Sequence, residues 1–233
     1  MKKKIAAAVI GILMAGTTAV YASPVTDFAK GHISAEFGST LNSTFNGSGE
    51  VTGKADGKSG FKYGVTAGLG DNWALQFKGG KFKSEVFSAE SATLPFPVTT
   101  YGKSTHREFN LIRRISPNVS AVAGWVQNEF SYGQYVEPAT ISSFHFGFMA
   151  DKKLNEKSTA FAAVLSGKDV LFWEAGVSYQ IGKDAHFNVS YGEREFRNVD
   201  LGVEMTTPIN ISLHKKEDYK LKGITCLFSL DFK

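Results

Sequence analysis

From His32 to Phe232 the chain alternates apolar and polar residues in about ten segments. A period of two sustained over segments this long commits the chain to β-strands with two unlike faces. The first segment, His32 to Phe45, sets Ile33, Ala35, Phe37, Leu41 and Phe45 on one parity and His32, Ser34, Glu36, Thr40 and Asn42 on the other. The second alternates Phe61, Tyr63, Val65, Ala67 and Leu69 with Lys62, Gly64, Thr66 and Gly68, and the third sets Trp73, Leu75 and Phe77 against Gln76 and Lys78. The same rhythm returns around Phe109 and Leu111, through Phe144, Phe146 and Phe148, through Phe161, Ala163 and Leu165, from Leu171 to Ile181, from Phe187 to Tyr191, and from Gly223 to Phe232. The segment from Val119 to about Phe130 is less regular, because Val122 and Val126 interrupt its polar face.

The connections supply the second constraint. Gly70-Asp71-Asn72, Ser116-Pro117-Asn118, Leu154-Asn155-Glu156-Lys157 and Gly182-Lys183-Asp184 are tight turns, and the connections between them are mostly longer. Asp, Asn and Gly suit such turns because they tolerate positive φ. All four tight turns fall on one side of the strands. Short turns on one side and longer loops on the other predict an all-β, antiparallel up-and-down transmembrane β-barrel of about ten strands, with eight as the alternative. A soluble lipocalin-like barrel alternates too, with its apolar face inward. Here the polar parity is rich in Gly, Ser, Thr and Asn, which suits a crowded lumen, and the other parity carries the large aromatics. The segments Asn46 to Ser59, Ser84 to Ser104 and Glu195 to Asp218 read as loops.

The start of the chain reads as a secretory leader: Lys2-Lys3-Lys4, an apolar run from Ile5 to about Ala15, and small residues up to Ala22. The expected organisation is therefore a signal peptide over 1–22 and one barrel domain over 23–233. The apolar run is too short for a membrane-crossing helix, which needs ~20 residues. Loss of the three lysines lowers the formal charge from +4 to +1. With no basic cluster interleaved with aromatics, no nucleic-acid partner is expected. One cysteine, Cys226, excludes an internal disulfide.

The last strand places Ile224, Cys226, Phe228, Leu230 and Phe232 on one parity. It resembles the carboxyl-terminal signal of outer-membrane proteins that the barrel assembly machinery reads, with Phe228, Leu230 and Phe232 as its apolar row. With the leader, the pattern resembles the small outer-membrane barrel families typified by OmpA, OmpX and the opacity proteins. It departs from them in ending on Lys233 rather than on the aromatic. The segments from Tyr63 to Leu75 and from Ser116 to Trp125 are also similar to small barrels of outer-membrane-bearing Firmicutes. The resemblance implies the cell outer membrane, a Gram-negative-type envelope, outer-membrane lipid around the barrel, and an extracellular ligand or host surface as a possible partner. It implies no substrate and no cofactor.

Candidate chemistry lies on the polar parity. Glu36, Lys62, Lys78, Glu108, Arg114 and Glu174, with Arg194 beside them, are expected to form a charge network across a narrow lumen rather than to line an open pore. His106, Glu108 and His145 fall on the same parity near the outer rim. His32-Ile33-Ser34 resembles the His-x-Ser of a lipid A deacylase, and Asp184-Ala185-His186 resembles half of the omptin protease site. Both sit at the short-turn end, and the chain has no Asp-x-Asp. The expectation is accordingly no enzyme, no catalytic residue, no metal and no cofactor. Tyr101, Trp125, Tyr132, Tyr135, Trp173, Tyr191 and Tyr219 are predicted to form an outer aromatic girdle, with Trp73 and Tyr179 in the inner one. The patches Leu94 to Val98 and Pro208 to Ile211 either bind a partner or fold over the mouth as a lid. The functional expectation is a structural or surface-interacting barrel, with a narrow porin-like channel as the alternative and an outer-membrane enzyme third.

Overall fold

The computed structural model describes residues 28–49, 51–91, 97–133, 138–205 and 211–232. The expected leader at 1–22 and most of the two apolar loop patches lie outside these residues. The strands are β1 (Ile33–Ser48), β2 (Val51–Gly70), β3 (Trp73–Ser84), β4 (Phe87–Ser91), β5 (Val98–Thr100), β6 (Gly102–Ser116), β7 (Val119–Tyr132), β8 (Ala139–Lys153), β9 (Ser158–Gly167), β10 (Val170–Gly182), β11 (Ala185–Met205) and β12 (Ile211–Phe232). Ten of them form a ring in the order β1, β2, β3, β6, β7, β8, β9, β10, β11, β12, and β12 pairs antiparallel with β1 to close it. Closure leaves the ring without an edge strand. β4 and β5 stand outside it as a short hairpin, with β4 paired to the outer end of β2.

The tight turns sit where their residues allow them. Asp71 and Asn72 both take positive φ, 50° and 66°, as a two-residue hairpin of the right twist requires. Between β8 and β9, Asn155 Oδ1 accepts hydrogen bonds from the Lys157 and Ser158 amides at 2.9 and 2.8 Å. This end of the ring is assigned to the periplasm and the opposite end to the cell exterior.

The two faces separate sharply. Along β8, Phe144, Phe146 and Phe148 are 72, 64 and 57% exposed, while Ser143 and His145 are 8 and 2% exposed. Phe37, Val65, Leu75, Leu111, Val177 and Phe228 extend the exposed apolar belt around the ring. Leaving one such side chain in water forfeits roughly 1.5–3 kcal/mol, so a belt of this size belongs in lipid. The lipocalin-like alternative, which requires the apolar face inside, is thereby excluded. No helix among the described residues is long and apolar enough to cross a membrane, and the strands make the crossing. The protein is a transmembrane β-barrel.

Four expectations are corrected. Phe45 faces the lumen, 1% exposed, because a bulge between Leu41 and Thr44, with Asn42 at φ 44°, reverses the parity of β1 above it. Phe161, Ala163 and Leu165 also face the lumen, since Ala163 pairs with inward Met149 and Val164 with outward Phe148. Tyr132 and Tyr219 are 5 and 0% exposed and pack inside the mouth rather than in the girdle, and Tyr135 lies outside the described residues. The Asn46 to Ser59 and Glu195 to Asp218 segments are largely strand: β1 and β2 continue to Ser48 and Val51, and β11 and β12 pair as far out as Met205 and Ile211. Strands of 21 and 22 residues exceed the ~9–11 a crossing needs and project beyond the membrane.

Two apolar clusters fill the ends of the lumen. The inner one joins Phe28 to Ala74, Ile112, Val122 and Met149 and reaches Leu165 and Phe172. The outer one gathers Phe45, Phe87, Phe130, Tyr132, Phe196, Val199 and Tyr219. Val122 and Val126, which interrupt the polar parity of β7, belong to these clusters.

Candidate functional site

The polar lumen residues lie between the two apolar clusters. Their centre is Glu108 on β6, 3% exposed. One carboxylate oxygen meets the Arg194 guanidinium of β11 at 2.9 Å, and the other accepts a hydrogen bond from Asn110 Nδ2 at 2.7 Å. Asn110 Nδ2 also donates to Gln76 Oε1 at 3.2 Å, and Gln76 Nε2 donates to Thr66 Oγ1 at 3.1 Å. Two acceptors on Asn110 Nδ2 fix its amide orientation, so Oδ1 is the atom that faces His145 Nε2 at 2.7 Å. His145 therefore carries its proton on Nε2. Gly124 makes this approach possible, since a Cβ there would stand 2.1 Å from Asn110 Oδ1 and 2.6 Å from His145 Nε2.

The remaining charges complete the crossing. Lys78 Nζ lies 4.0 Å from Glu36 Oε1, Lys62 Nζ donates to Thr225 Oγ1 at 2.8 Å, and the Ser190 hydroxyl donates to Glu174 at 2.5 Å. Glu36, Lys62, Lys78, Glu174 and Arg194 line one cavity of about 30 Å³, and Lys62, His106, Glu174 and Arg194 also line a second of about 60 Å³. Spaces of this size admit a few waters at most. Arg114 is not brought into this cluster. It pairs with Asp151 at 3.3 Å near the periplasmic turns, with its guanidinium 4.6 Å from the Phe28 ring centre. Of the seven residues expected in the network, counting Arg194, six meet in one lumen cluster and Arg114 stands apart. Arg194, Asn110 and Gln76 bind the cluster together. Their signal in the sequence was lumen parity alone.

The histidines weighed for catalysis fall in two places. His145 joins the Glu108 network, whereas His106 lines the cavities beside it. His32 and His186 flank a single carboxylate at the periplasmic end, Asp231, at 3.8 and 3.4 Å. Phe228 and Phe232 are exposed on the lipid face of β12, as is Leu230.

The outer mouth is ordered by its own contacts. Glu195 is bound by Arg197 at 2.7 Å and by Lys220 at 3.4 Å. The Arg197 hydrogen bond holds the Glu195 carboxyl below the usual range, and Glu195 in turn raises Arg197. Asn198, at φ 55°, donates its backbone amide to the Asp218 carboxylate and its side-chain amide to that of Asp169, each at 3.0 Å. Tyr219 donates its hydroxyl to Glu217 at 2.6 Å, and burial pushes the phenols of Tyr132 and Tyr219 well up. Phe87 and Ala89 of β4 pack into this cluster, so part of the Ser84 to Ser104 connection lies over the mouth.

The chain matches no protein-family model and no curated protein. Its fold does have relatives. The outer membrane protease OmpT from Escherichia coli superposes with a TM-score of 0.61 at 10% identity, covering 91% of this chain and all of that one. OprG from Pseudomonas aeruginosa (TM-score 0.43, 11% identity, 87% and 96% covered) and Ail from Yersinia pestis (0.38, 13%, 87% and 99%) are more distant. The shared property is the outer-membrane β-barrel fold.

Proposed function

We propose that this protein is a closed outer-membrane barrel that acts at the cell surface through its outward strand extensions and mouth, rather than a diffusion channel or an enzyme. One observation carries the reading: the lumen is occupied along its length, by the Phe28 cluster below, the Glu108 and Arg194 network in the middle, and the aromatic cluster above. The two cavities beside the network, about 60 and 30 Å³, are of a size for waters rather than solutes. The β11 and β12 extension has its own packed side chains in Phe196, Val199 and Tyr219, each at most 1% exposed. An extracellular ligand or host surface is the partner this architecture suits, and the apolar row Phe228, Leu230 and Phe232 suits recognition by the assembly machinery. The test is conductance of the purified, folded protein in planar bilayers. The expected result is no steady conductance. A stable ohmic conductance, lost when a bulky reagent is attached within the lumen, would replace this reading with the narrow channel.

A further inference from the structure

The lipid face is not uniform around the ring. On the sector formed by β2, β3, β6, β7 and β8 an open apolar depression of about 780 Å³ lies among Phe77, Phe109, Trp125 and Phe146. The small side chains of Ala67 and Ala123, set among these large rings, leave the space. Immediately outward on two of these strands, β3 and β6, the surface turns basic. Arg107 lies two residues beyond Phe109 on β6, and Lys81 four beyond Phe77 on β3. Two residues along a strand span roughly 7 Å, so Arg107 borders the upper end of the depression.

Lys83 stands directly opposite Lys103 in the β3 and β6 register. Like charges so placed destabilise a strand pair. The Tyr101 ring lies between them, with the two ammonium groups 4.6 and 5.1 Å from its centre. Among the described residues no carboxylate forms an ion pair with Lys81, Lys83, Lys103 or Arg107, and Glu129 faces Thr105 between them across the β6 and β7 pair. On β12, by contrast, Lys220 is paired with Glu195 of β11. The outer end of this apolar depression thus carries four cations on β3 and β6, with the carboxylate of Glu129 beside them on β7.

We propose that this sector binds a phosphorylated lipid of the outer leaflet, with an acyl chain in the groove and the phosphate against Arg107, Lys81 and Lys103. An arginine fork and flanking ammonium groups are suited to phosphate oxygens. An anion there relieves the repulsion between Lys83 and Lys103. A second copy of the chain, docked through the same face, would bring two basic strips together and is disfavoured on that ground.

The probe is a phosphatidic acid with dibrominated acyl chains, set against the phosphatidylcholine with the same chains, in vesicles holding the folded protein. In a W73F/W173F background Trp125 reports from within the groove. At low mole fraction the brominated phosphatidic acid is expected to quench Trp125 on the order of tenfold more effectively than the phosphatidylcholine, the preference falling as salt rises. K81Q/K103Q/R107Q is expected to abolish the preference while leaving quenching by the neutral lipid intact, a control that also reports correct folding. A123L/A67L, which fills the groove, is expected to reduce quenching by both. Equal quenching by the two lipids, or retention of the preference in the triple variant, would overturn the proposal. Competition by millimolar inorganic phosphate would overturn it in favour of a soluble anion site, and cross-linking between copies through this face in favour of a self-association surface.

Discussion

The pair formed by Glu108 and Arg194 gives the most direct measure of whether the lumen is tied together as described. Their side chains are 4 and 12% exposed and 2.9 Å apart. Glu108→Ala leaves the Arg194 guanidinium in the lumen without its carboxylate and removes one acceptor from Asn110. Breaking one partner of a buried pair costs about 3–5 kcal/mol, and Arg194→Ala is expected to cost about the same. The double variant removes both charges at once, so its cost should approach that of one single rather than their sum. A coupling energy of about 3 kcal/mol follows. Glu108→Gln is the gentler companion, since its amide oxygen still accepts from Asn110 while the charge is lost. The assay is urea unfolding and refolding in lipid vesicles, followed by tryptophan fluorescence and by the mobility difference between unheated and boiled protein. Additive losses, with coupling below about 0.5 kcal/mol, would show that the two side chains do not interact and would refute the network.

Two further outcomes follow from the facing of the strands and from the mouth. Phe146→Arg and Val177→Arg place a charge on the lipid face, at positions 64 and 42% exposed, and should cost roughly 2–4 kcal/mol each if they sit near the bilayer midplane; refolding midpoints unchanged in both would invert the assignment of faces. Because Glu195 has its carboxyl held below the usual range by Arg197, its contribution to mouth stability is complete above the ordinary carboxylate value of 4.5 and is lost as pH falls through the lowered one. Amide protection factors of the β11 and β12 extension, exchange rates taken relative to the intrinsic rate at each pH, should therefore fall on acidification below that range in wild type and change less with pH in Glu195→Gln.

The ring of strands was readable because period-two alternation and turn residues act locally. Asp71-Asn72 and Asn155 dictate their turns wherever the rest of the chain goes. Facing was readable only where one row is polar. In β9 the outward row of Ala160, Ala162 and Val164 is as apolar as the inward row of Phe161, Ala163 and Leu165, so alternation carried no sign there. Phe45 escaped because a single positive-φ residue, Asn42, reverses every side chain beyond it. The β11 and β12 extension read as loop for a related reason. Above the membrane neither face needs to be uniformly apolar, and residues such as Asn198, Asp200 and Asp218 mimic turn composition while the backbone stays paired. The charge partners were least accessible of all. Arg114 finds Asp151 rather than a glutamate because strand stagger decides which lumen residues share a level, and stagger is not written in any one strand.

The mouth is uneven, and its unevenness bears on how a partner would approach. β9 and β10 are joined at Lys168 and Asp169, level with Phe196, whereas β11 and β12 continue outward past that point to Met205 and Ile211. A tall hairpin therefore stands directly beside the lowest part of the rim. Asp169 is used to brace it: its backbone oxygen accepts the Arg197 amide at 2.9 Å and its carboxylate takes the Asn198 side chain. The bulge between Phe196 and Val199, placed at that level, turns Val199 into the aromatic cluster. The extension is thus braced by contacts with the rim and the plug as well as by its own strand pairing. A partner engaging the outer part of the extension would meet a pre-ordered strand surface and would incur little ordering entropy on binding. Asp169→Ala, which leaves the lumen network untouched, should loosen the extension to proteolysis while urea unfolding of the barrel changes by less than about 0.5 kcal/mol; equal protection of the extension in this variant would show that the hairpin stands on its own.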